Sequence, residues 1–365
     1  MSKVNKFKVV SLFSGCGGLD LGLEQSGFDI IWANDIESSV IDTYKYNIGN
    51  IVEGDIKEIA ADEIPDCDVI TAGFPCQPFS SAGSRKGIED ERGNLFLECI
   101  RIIDAKKPKV VVFENVRGIL SIKNKDGSLL IDTIVYLLEN LNPGYNVGYK
   151  LLNSSEYGVP QQRYRVIFVG FRKDLGIHYQ FPEPTHSSND ESLTVGHIIN
   201  VPLNTPNQDE VWEFSPQSKK LIPYINEGGS WKDIPYDVLP PRLKRIRDNM
   251  KKYRAPNFYR RFARNEINGT ITAAATPENC GIIHPLENRR YSVREVARIQ
   301  SFPDDFVFIG NSIPAKYRMI GNAVPPKLGK VIGESILQHL DQNNNKVDID
   351  ENLKLNVDGE LQFVF

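Results

Sequence analysis

The sequence has few cysteines and no long apolar run. Five of its 365 residues are cysteine, an odd number, and no two are spaced as Cys-x-x-Cys. A structural zinc site and a disulfide framework are therefore not expected, and a reducing compartment is favoured. The apolar run after Lys8 breaks at Ser11 and Ser14, and no stretch approaches the roughly 18 apolar residues of a membrane helix. These absences predict a cytoplasmic protein with neither signal peptide nor membrane span.

An overall excess of basic charge is also missing. The net charge is −4, which taken alone argues against a nucleic-acid partner. The segment Arg242–Arg264, however, holds ten basic residues and one acid, Asp248, so the charge is locally asymmetric. This basic run predicts a phosphate-binding surface, with a solvated helix face as the alternative. The first reading is favoured by the aromatic residues interleaved with the charges, which are Tyr253, Phe258, Tyr259 and Phe262.

Short apolar runs alternate with amphipathic segments through the first half of the chain. Continuous Val, Ile and Phe runs are typical of strands covered on both faces. Helices are expected between them, for example at Leu95–Asp104 and Leu129–Asn140. This alternation predicts an α/β fold with a doubly wound parallel sheet. The runs expected to be strands are Phe7–Phe13, Phe28–Ala33, Asp68–Ala72, Lys109–Phe113 and Arg165–Val169.

The chain changes character after about Arg172. Prolines become frequent and periodicity fades until Ser292, which predicts an irregular module inserted into the α/β framework. A helical pattern returns at Pro326–Leu340, and Asn343–Asn345 is expected to be a linker. In the last residues, apolar positions alternate on both sides of Asp358-Gly359, which is typical of a hairpin. A loose tail is the alternative.

A glycine-rich turn follows the first predicted strand. It reads Ser14-Gly15-Cys16-Gly17-Gly18, and a helical segment comes directly after it. Such a turn lets the backbone approach a ligand and places helix N–H groups beside it. Asp35 lies 20 residues beyond Gly15, a spacing typical of an acid that binds ribose, and Asp55 follows the next connection. A nucleoside-containing cofactor is expected, either NAD or S-adenosylmethionine, and the absence of Gly-x-Gly-x-x-Gly favours the second.

A cysteine motif follows the third predicted strand of the first half. The segment Gly73–Ser80 reads Gly-Phe-Pro-Cys-Gln-Pro-Phe-Ser and holds Cys76 close to Pro75 and Pro78. Doubly wound sheets bind ligands at the carboxyl ends of their strands. Because prolines on both sides do not suit a strand interior, Cys76 is expected to be displayed at this edge, although a lone cysteine is often core filling.

With these motifs in order, the chain resembles the DNA (cytosine-5)-methyltransferases, and in particular the prokaryotic modification enzymes. The resemblance covers about residues 7–175 and 285–337. It implies a Rossmann-like, S-adenosylmethionine-dependent methyltransferase domain with a smaller, irregular target-recognition domain. The motifs that carry it are Ser14–Gly18, Gly73–Ser80, Phe113–Val116, Gln161–Arg165, Arg294–Gln300 with Phe302-Pro303-Asp304, and Gly321–Pro325.

The resemblance assigns four catalytic residues. Cys76 matches the nucleophile that adds to C6 of a flipped cytosine, so that C5 can accept a methyl group. Glu114 matches the acid at N3 and the exocyclic amine. Arg165 is expected at the base O2, and Arg163 is expected to support the catalytic loop and phosphate. Ser80–Gly93 resembles the mobile loop that closes over DNA.

The cofactor implied by the resemblance is S-adenosylmethionine, and no metal is expected. Ile36 stands where some members have tryptophan, so an apolar contact is expected there in place of adenine stacking. Asp35 is expected to hold the ribose and Asp55 the adenine amine. The predicted cofactor-binding residues are Phe13, Gly15, Gly17, Asp35, Ile36, Asp55, Pro75, Leu95 and Asn322.

The implied organisation is a catalytic and cofactor-binding domain (residues 1–180 and 318–342), a target-recognition domain with hinge (181–317) and a C-terminal tail or hairpin (343–365). The expected partner is double-stranded DNA, bound by a monomer functionally paired with a restriction endonuclease, with no membrane. The alternatives are a tRNA cytosine-5 methyltransferase and an inactive DNA-binding protein of the same fold. An NAD-dependent dehydrogenase leaves Gly73–Ser80 unexplained, and the recognised DNA sequence cannot be derived.

Overall fold

Strands predominate in the first half of the chain. The computed structural model describes residues 6–74, 94–124, 127–187, 189–250, 258–355 and 361–363. The strands in these ranges are β1 (Lys8–Leu12), β2 (Asp29–Asp35), β3 (Val52–Glu53), β4 (Val69–Ala72), β5 (Val110–Val116), β6 (Tyr145–Asn153), β7 (Gln161–Gln162), β8 (Tyr164–Arg172), β9 (Asn268–Gly269), β10 (Leu353–Leu355) and β11 (Leu361–Phe363).

Helices cover the sheet and form much of the second half. The helices in the same ranges are α1 (Gly18–Ser26), α2 (Ser38–Asn47), α3 (Asn94–Lys106), α4 (Leu130–Glu139), α5 (Val195–Ile198), α6 (Pro216–Leu221), α7 (Pro241–Asp248), α8 (Val293–Ile299), α9 (Ile313–Asn322) and α10 (Pro326–Asn352).

Seven strands form one mixed sheet in the order β3-β2-β1-β4-β5-β8-β6. The predicted α/β fold is confirmed. The neighbouring strands β3, β2, β1, β4 and β5 are parallel, as expected. The predicted parallel pairing does not extend to β8, which pairs antiparallel with both β5 and β6. Only residues 154–163 separate β6 from β8, which is too short for the helical crossover that a parallel pair needs.

Alternate residues of each central strand enter different cores. Val9 packs with Leu23 of α1 and Ile332 of α10 on one face of the sheet. Val10, the next residue, packs with Ile102 of α3 on the other face. Because both faces are covered, most positions of these strands are apolar, which explains the runs of Val and Ile in the sequence.

The proline-rich second half forms its own core with few strands. Trp231 is fully buried there and belongs to one apolar cluster with Tyr291 and Ile320. The same cluster includes Tyr44 of α2, so the module packs directly against the sheet domain. This contact places the module beside the end of the sheet where the glycine-rich turn lies.

The end of the chain differs from its expected description. Asn343–Asn345, expected to be a linker, lies within α10, which continues to Asn352. Two short strands then pair antiparallel, with Leu353 opposite Phe363. No helix in the described ranges has both the length and the apolar character needed to span a membrane.

Candidate active site and cofactor turn

Glu114 and Arg165 form an ion pair near the carboxyl end of β5. Arg165 Nε lies 2.5 Å from Glu114 Oε1, and both side chains are largely buried. The Arg165 Nε–H makes no hydrogen bond, so the contact is electrostatic rather than a directed bond. In the antiparallel register Arg165 faces Val116, two residues beyond Glu114, which puts the two side chains diagonally on one sheet face. The structure therefore brings two of the predicted catalytic residues together.

The end of β4 is held beside this ion pair. A Cβ added at Gly73 would lie 3.7 Å from Glu114 Oε2, so the chain leaving β4 passes close to the carboxylate. Asn115 Nδ2 donates to the Phe74 carbonyl at 3.2 Å, and this bond is buried. The backbone two residues before Cys76 is thus fixed to β5, the strand that carries Glu114.

Three phenylalanine rings pack against one another near the ends of β4 and β5. Phe74 lies 5.4 Å from Phe96 and 5.6 Å from Phe113 between ring centroids, with the second pair edge to face. All three are buried. Such aromatic pairs stabilise by about 0.5–1.5 kcal/mol beyond their buried area. The cluster anchors the ends of β4 and β5 on α3.

Cys76, Pro75 and the segment Ser80–Gly93 lie outside the described residues. The remaining cysteines are Cys16, Cys67, Cys99 and Cys280, and each is a free thiol. Burial raises the pKa of Cys16 and of Cys67 to about 12. It also raises the pKa of Cys99 and of Cys280. Because a thiolate is the reactive form, none of these four suits a nucleophile.

Arg163, predicted to support the catalytic loop and phosphate, lies inside the protein. Its side chain is fully buried, and its guanidinium donates to the carbonyls of Ile271 (3.0 Å), Gly321 (2.7 Å) and Ala323 (3.1 Å). Desolvation lowers its pKa well below the ordinary arginine value, and the Arg165 charge adds to this effect. These bonds join the module to α9. Support of the catalytic loop and of phosphate by Arg163 stays a prediction.

Two glutamines extend this internal connection, and sequence reasoning assigned them no role. Gln161 accepts from Ile271 N at 3.1 Å and donates to the Gln300 side chain. Gln300 in turn donates to the Ala323 carbonyl at 2.6 Å. β7 and β9 pair beside them. In the sequence, only their positions within motifs of the resemblance pointed to a role for these glutamines. The residue type alone does not show whether a glutamine is buried.

The glycine-rich turn has the geometry expected of a ligand-binding loop. Phe13, Gly15 and Gly17 all have positive φ, at 54°, 56° and 86°. A Cβ at Gly15 would meet nothing within 4 Å, so the space above it is open. A Cβ at Gly18 would lie 2.3 Å from the Val324 carbonyl oxygen, so this glycine allows α1 to contact the segment after α9.

Asp35 is hydrogen-bonded to the turn that it was predicted to assist. Its Oδ2 accepts from Gly15 N and its Oδ1 from Glu37 N, each at 2.8 Å. Desolvation raises its pKa, and the two backbone N–H groups oppose that shift. Asn34 donates to the carbonyls of Val52 (3.0 Å) and Gly54 (2.9 Å). These bonds fix the connection after β3, which carries Asp55.

The other predicted cofactor residues occupy different positions around this edge. Ile36 is 65% exposed, unusually high for isoleucine. Asp55 and Leu95 are half-buried, the latter in the first turn of α3. Asn322 is exposed at the end of α9 and lines a cleft on the side of the module. The described strand ends thus hold a carboxylate, open glycine backbone and an exposed apolar side chain.

The basic run is largely used inside the protein. Arg247 donates to three carbonyls of residues 231–234. Arg260 pairs with Glu266, and Arg264 pairs with Glu227. Arg261 is buried and bonds Asn288. Lys251, Lys252, Tyr253 and Arg254 lie outside the described residues, and Arg245 is an exposed cation that remains. The charge density of this segment therefore overstates its capacity for phosphate.

Comparison with known proteins identifies the family of this chain. Residues 7–338 match the family described as C-5 cytosine-specific DNA methylase. Type II methyltransferase M.NgoFVII of Neisseria gonorrhoeae is 43% identical over 362 residues, covering 96% of this chain and 92% of that protein. Type II methyltransferase M.Eco47II of Escherichia coli is 36% identical over 363 residues, covering 94% and 81%.

A solved structure supports the fold. Entamoeba histolytica methyltransferase EhMeth superposes with a TM-score of 0.64 at 19% identity, over 92% of this chain and 99% of that chain. Membership of a methyltransferase family also implies the use of S-adenosylmethionine. The chain belongs to the C-5 cytosine-specific DNA methylase family and is an enzyme that methylates carbon 5 of cytosine in DNA.

Proposed function

We propose that this enzyme methylates a cytosine flipped out of duplex DNA through a covalent bond between the Cys76 sulfur and C6 of the base. Glu114 binds N3 and the exocyclic amine, and Arg165 holds Glu114 in place. The observation that carries the proposal is the ion pair of Glu114 with Arg165, beside the anchored chain that leads to Cys76.

Cys76 and Glu114 account for the activation of the cytosine ring. The Cys76 thiolate adds to C6, and the electrons of the C5–C6 bond become available at C5 while Glu114 donates a hydrogen bond or proton at N3. S-adenosylmethionine, when bound, supplies an electrophilic methyl group. Loss of the C5 proton to a base then re-forms the C5=C6 double bond while the bond between C6 and sulfur breaks, and Cys76 leaves as a thiolate.

The cofactor fits the residues at the ends of β1 to β3. Open space above Gly15 and backbone with positive φ admit the methionine part. Asp35 is held beside this turn and can accept from ribose hydroxyls through its remaining lone pairs. Ile36 offers an exposed apolar surface for the adenine, and Asp55 an acceptor for the adenine amine. Pro75, Leu95 and Asn322 would complete this pocket.

The covalent step is tested with 5-fluorocytosine in duplex DNA. Fluorine at C5 cannot leave as a proton does, so the wild-type enzyme with S-adenosylmethionine should form an adduct that survives denaturing electrophoresis. Cys76→Ser should give no adduct and no methylation, whereas Cys67→Ser, which alters a half-buried thiol, should give both. An adduct formed by Cys76→Ser would disprove the assignment of the nucleophile.

We also propose that residues 181–317 form the target-recognition domain and hinge, that the catalytic domain comprises 1–180 and 318–342, and that 343–365 is an accessory element. The relatives' names as Type II methyltransferases support modification of one specific sequence and functional pairing with a restriction endonuclease. We further propose that the enzyme acts on DNA as a monomer. Bisulfite sequencing of DNA treated with the purified enzyme should show methylation at one short sequence. Methylation spread over unrelated sequences would contradict this.

A further inference from the structure

A cleft of about 250 Å³ lies between α9 and the module. Beside it, α9 and the module are in close contact at Gly321, where an added Cβ would lie 2.6 Å from the Thr272 carbonyl oxygen. The cleft is therefore formed where the catalytic core meets the module. Its lining residues are Trp212, Ala273, Ala274, Pro314, Arg318 and Asn322.

One face of α9 forms a wall of this cleft. Pro314, Arg318 and Asn322 are spaced by four residues, so they follow one another along the same side of the helix. The cleft thus runs from the first turn of α9 to Asn322, a predicted cofactor residue. Its far end is adjacent to the cofactor turn, since Gly18 packs against residues 323 and 324.

Arg318 gives the cleft its charge. It is the single ionisable residue of the lining and is exposed, and it makes no hydrogen bond or ion pair within the described part of the chain. The neighbouring cation Lys316 is neutralised by Glu210, with 2.7 Å between Nζ and Oε2. A cation that is unpaired in a cleft free of carboxylates attracts an anion.

Trp212 forms the opposite wall and is held rigidly. The Arg290 guanidinium lies 4.1 Å from its ring centroid, and Tyr317 lies 6.2 Å away, centroid to centroid. The Trp212 side chain is half-buried, so part of the indole remains available. Ala273 and Ala274 add no bulk between the walls. A flat ring, small residues and one arginine suit a sugar–phosphate segment.

We propose that this cleft binds the DNA backbone beside the flipped nucleotide, with Arg318 contacting a phosphate and Trp212 the adjoining sugar. The inference rests on the proposed function, because it takes duplex DNA as the ligand. Arg318 is then a positioning residue, which binds the polyanion near the target base without touching the reacting atoms.

The test is the salt dependence of DNA affinity. A fluorescein-labelled duplex carrying the methylated sequence is titrated with wild type, Arg318→Gln, Arg318→Lys and Lys8→Gln. The plot of log K against log [salt] has a negative slope, and loss of one phosphate contact should make this slope shallower by about 0.9. Between about 50 and 200 mM salt, wild type should then lose about 3.5-fold more affinity than Arg318→Gln.

The controls separate the alternatives. Arg318→Lys should restore the slope. Lys8→Gln removes an exposed cation at the amino end of β1 and should leave the slope unchanged. An unchanged slope in Arg318→Gln would overturn the proposal. So would a loss of S-adenosylmethionine affinity with DNA affinity unaltered, which would assign the cleft to the cofactor. Failure of the proposed function would appear separately, as absence of methylation by the wild-type enzyme.

Discussion

Arg165 Nε lies 2.5 Å from Glu114 Oε1, and this contact joins two motifs that are about fifty residues apart in sequence. The antiparallel pairing of β5 with β8 creates it, since Arg165 faces Val116 in the register. If β8 were parallel to β5, its first residues would lie at the amino end of β5, far from Glu114. The direction of one strand therefore decides whether the acid has a cationic partner.

Replacing Glu114 by glutamine should slow methylation while leaving the fold intact. Glutamine keeps the shape but cannot donate a proton at N3, and loss of a general acid typically costs about 10²–10⁴-fold in rate. Single-turnover transfer of a tritiated methyl group to duplex DNA measures the effect. Glu139→Gln, on the exposed end of α4, serves as the control. A wild-type rate in Glu114→Gln would remove Glu114 from the mechanism.

Replacing Arg163 by methionine should lower the free energy of unfolding. The substitution leaves the carbonyls of Ile271, Gly321 and Ala323 without their donor in a buried site. We expect a loss of about 2–4 kcal/mol, because the cost of desolvating the arginine offsets part of its bonding. Urea unfolding measures this, with Arg245→Met as the exposed control. Unchanged stability together with weaker DNA binding would contradict this and favour the predicted phosphate role.

Asp20 should make stability depend on pH. Burial raises its pKa from 3.8 to about 6, opposed by hydrogen bonds from Tyr44 and Ser11. The folded state then binds its proton more tightly than the unfolded state. The resulting stabilisation is complete below pH 4 and is lost as the pH rises through about 6, amounting to about 3 kcal/mol.

The Asp20→Asn variant should lack this dependence. Its free energy of unfolding, measured by urea denaturation from pH 4 to 7, should fall less with rising pH than that of the wild type. Asp29→Asn, which removes an exposed carboxylate, should behave as wild type. Parallel pH profiles for Asp20→Asn and wild type would show that this carboxyl is not the titrating group.

Replacing Gly18 by alanine should weaken both the fold and cofactor binding. The new Cβ would lie 2.3 Å from the Val324 oxygen and 3.1 Å from Ala323 Cβ, so α1 must move away from that segment. Overpacking of this kind costs about 1–3 kcal/mol. Thermal unfolding and calorimetric titration with S-adenosylmethionine measure the two effects. Gly54→Ala, where a Cβ meets nothing within 4 Å, should change neither; equal behaviour of the two variants would refute the close contact.

The sequence by itself determined the α/β core and the family. Strands buried on both faces are mostly apolar, so β1 and β5 were visible as runs rich in Val and Phe. The motif Gly73–Ser80 indicates a cysteine nucleophile and the glycine-rich turn indicates a cofactor site, because few other residues could fill these roles. Their order along the chain was sufficient to indicate a cytosine-5 methyltransferase before any coordinates.

Only the tertiary structure decided which charges are available. Arg163 and Arg247 are indistinguishable in sequence from surface cations, yet their guanidinium groups satisfy carbonyls inside the protein. Arg318 belonged to no predicted set and lies unpaired in a cleft. The reason is that charge is a property of a residue, whereas solvation and pairing are properties of its neighbours. For Arg163 these neighbours come from segments more than a hundred residues away.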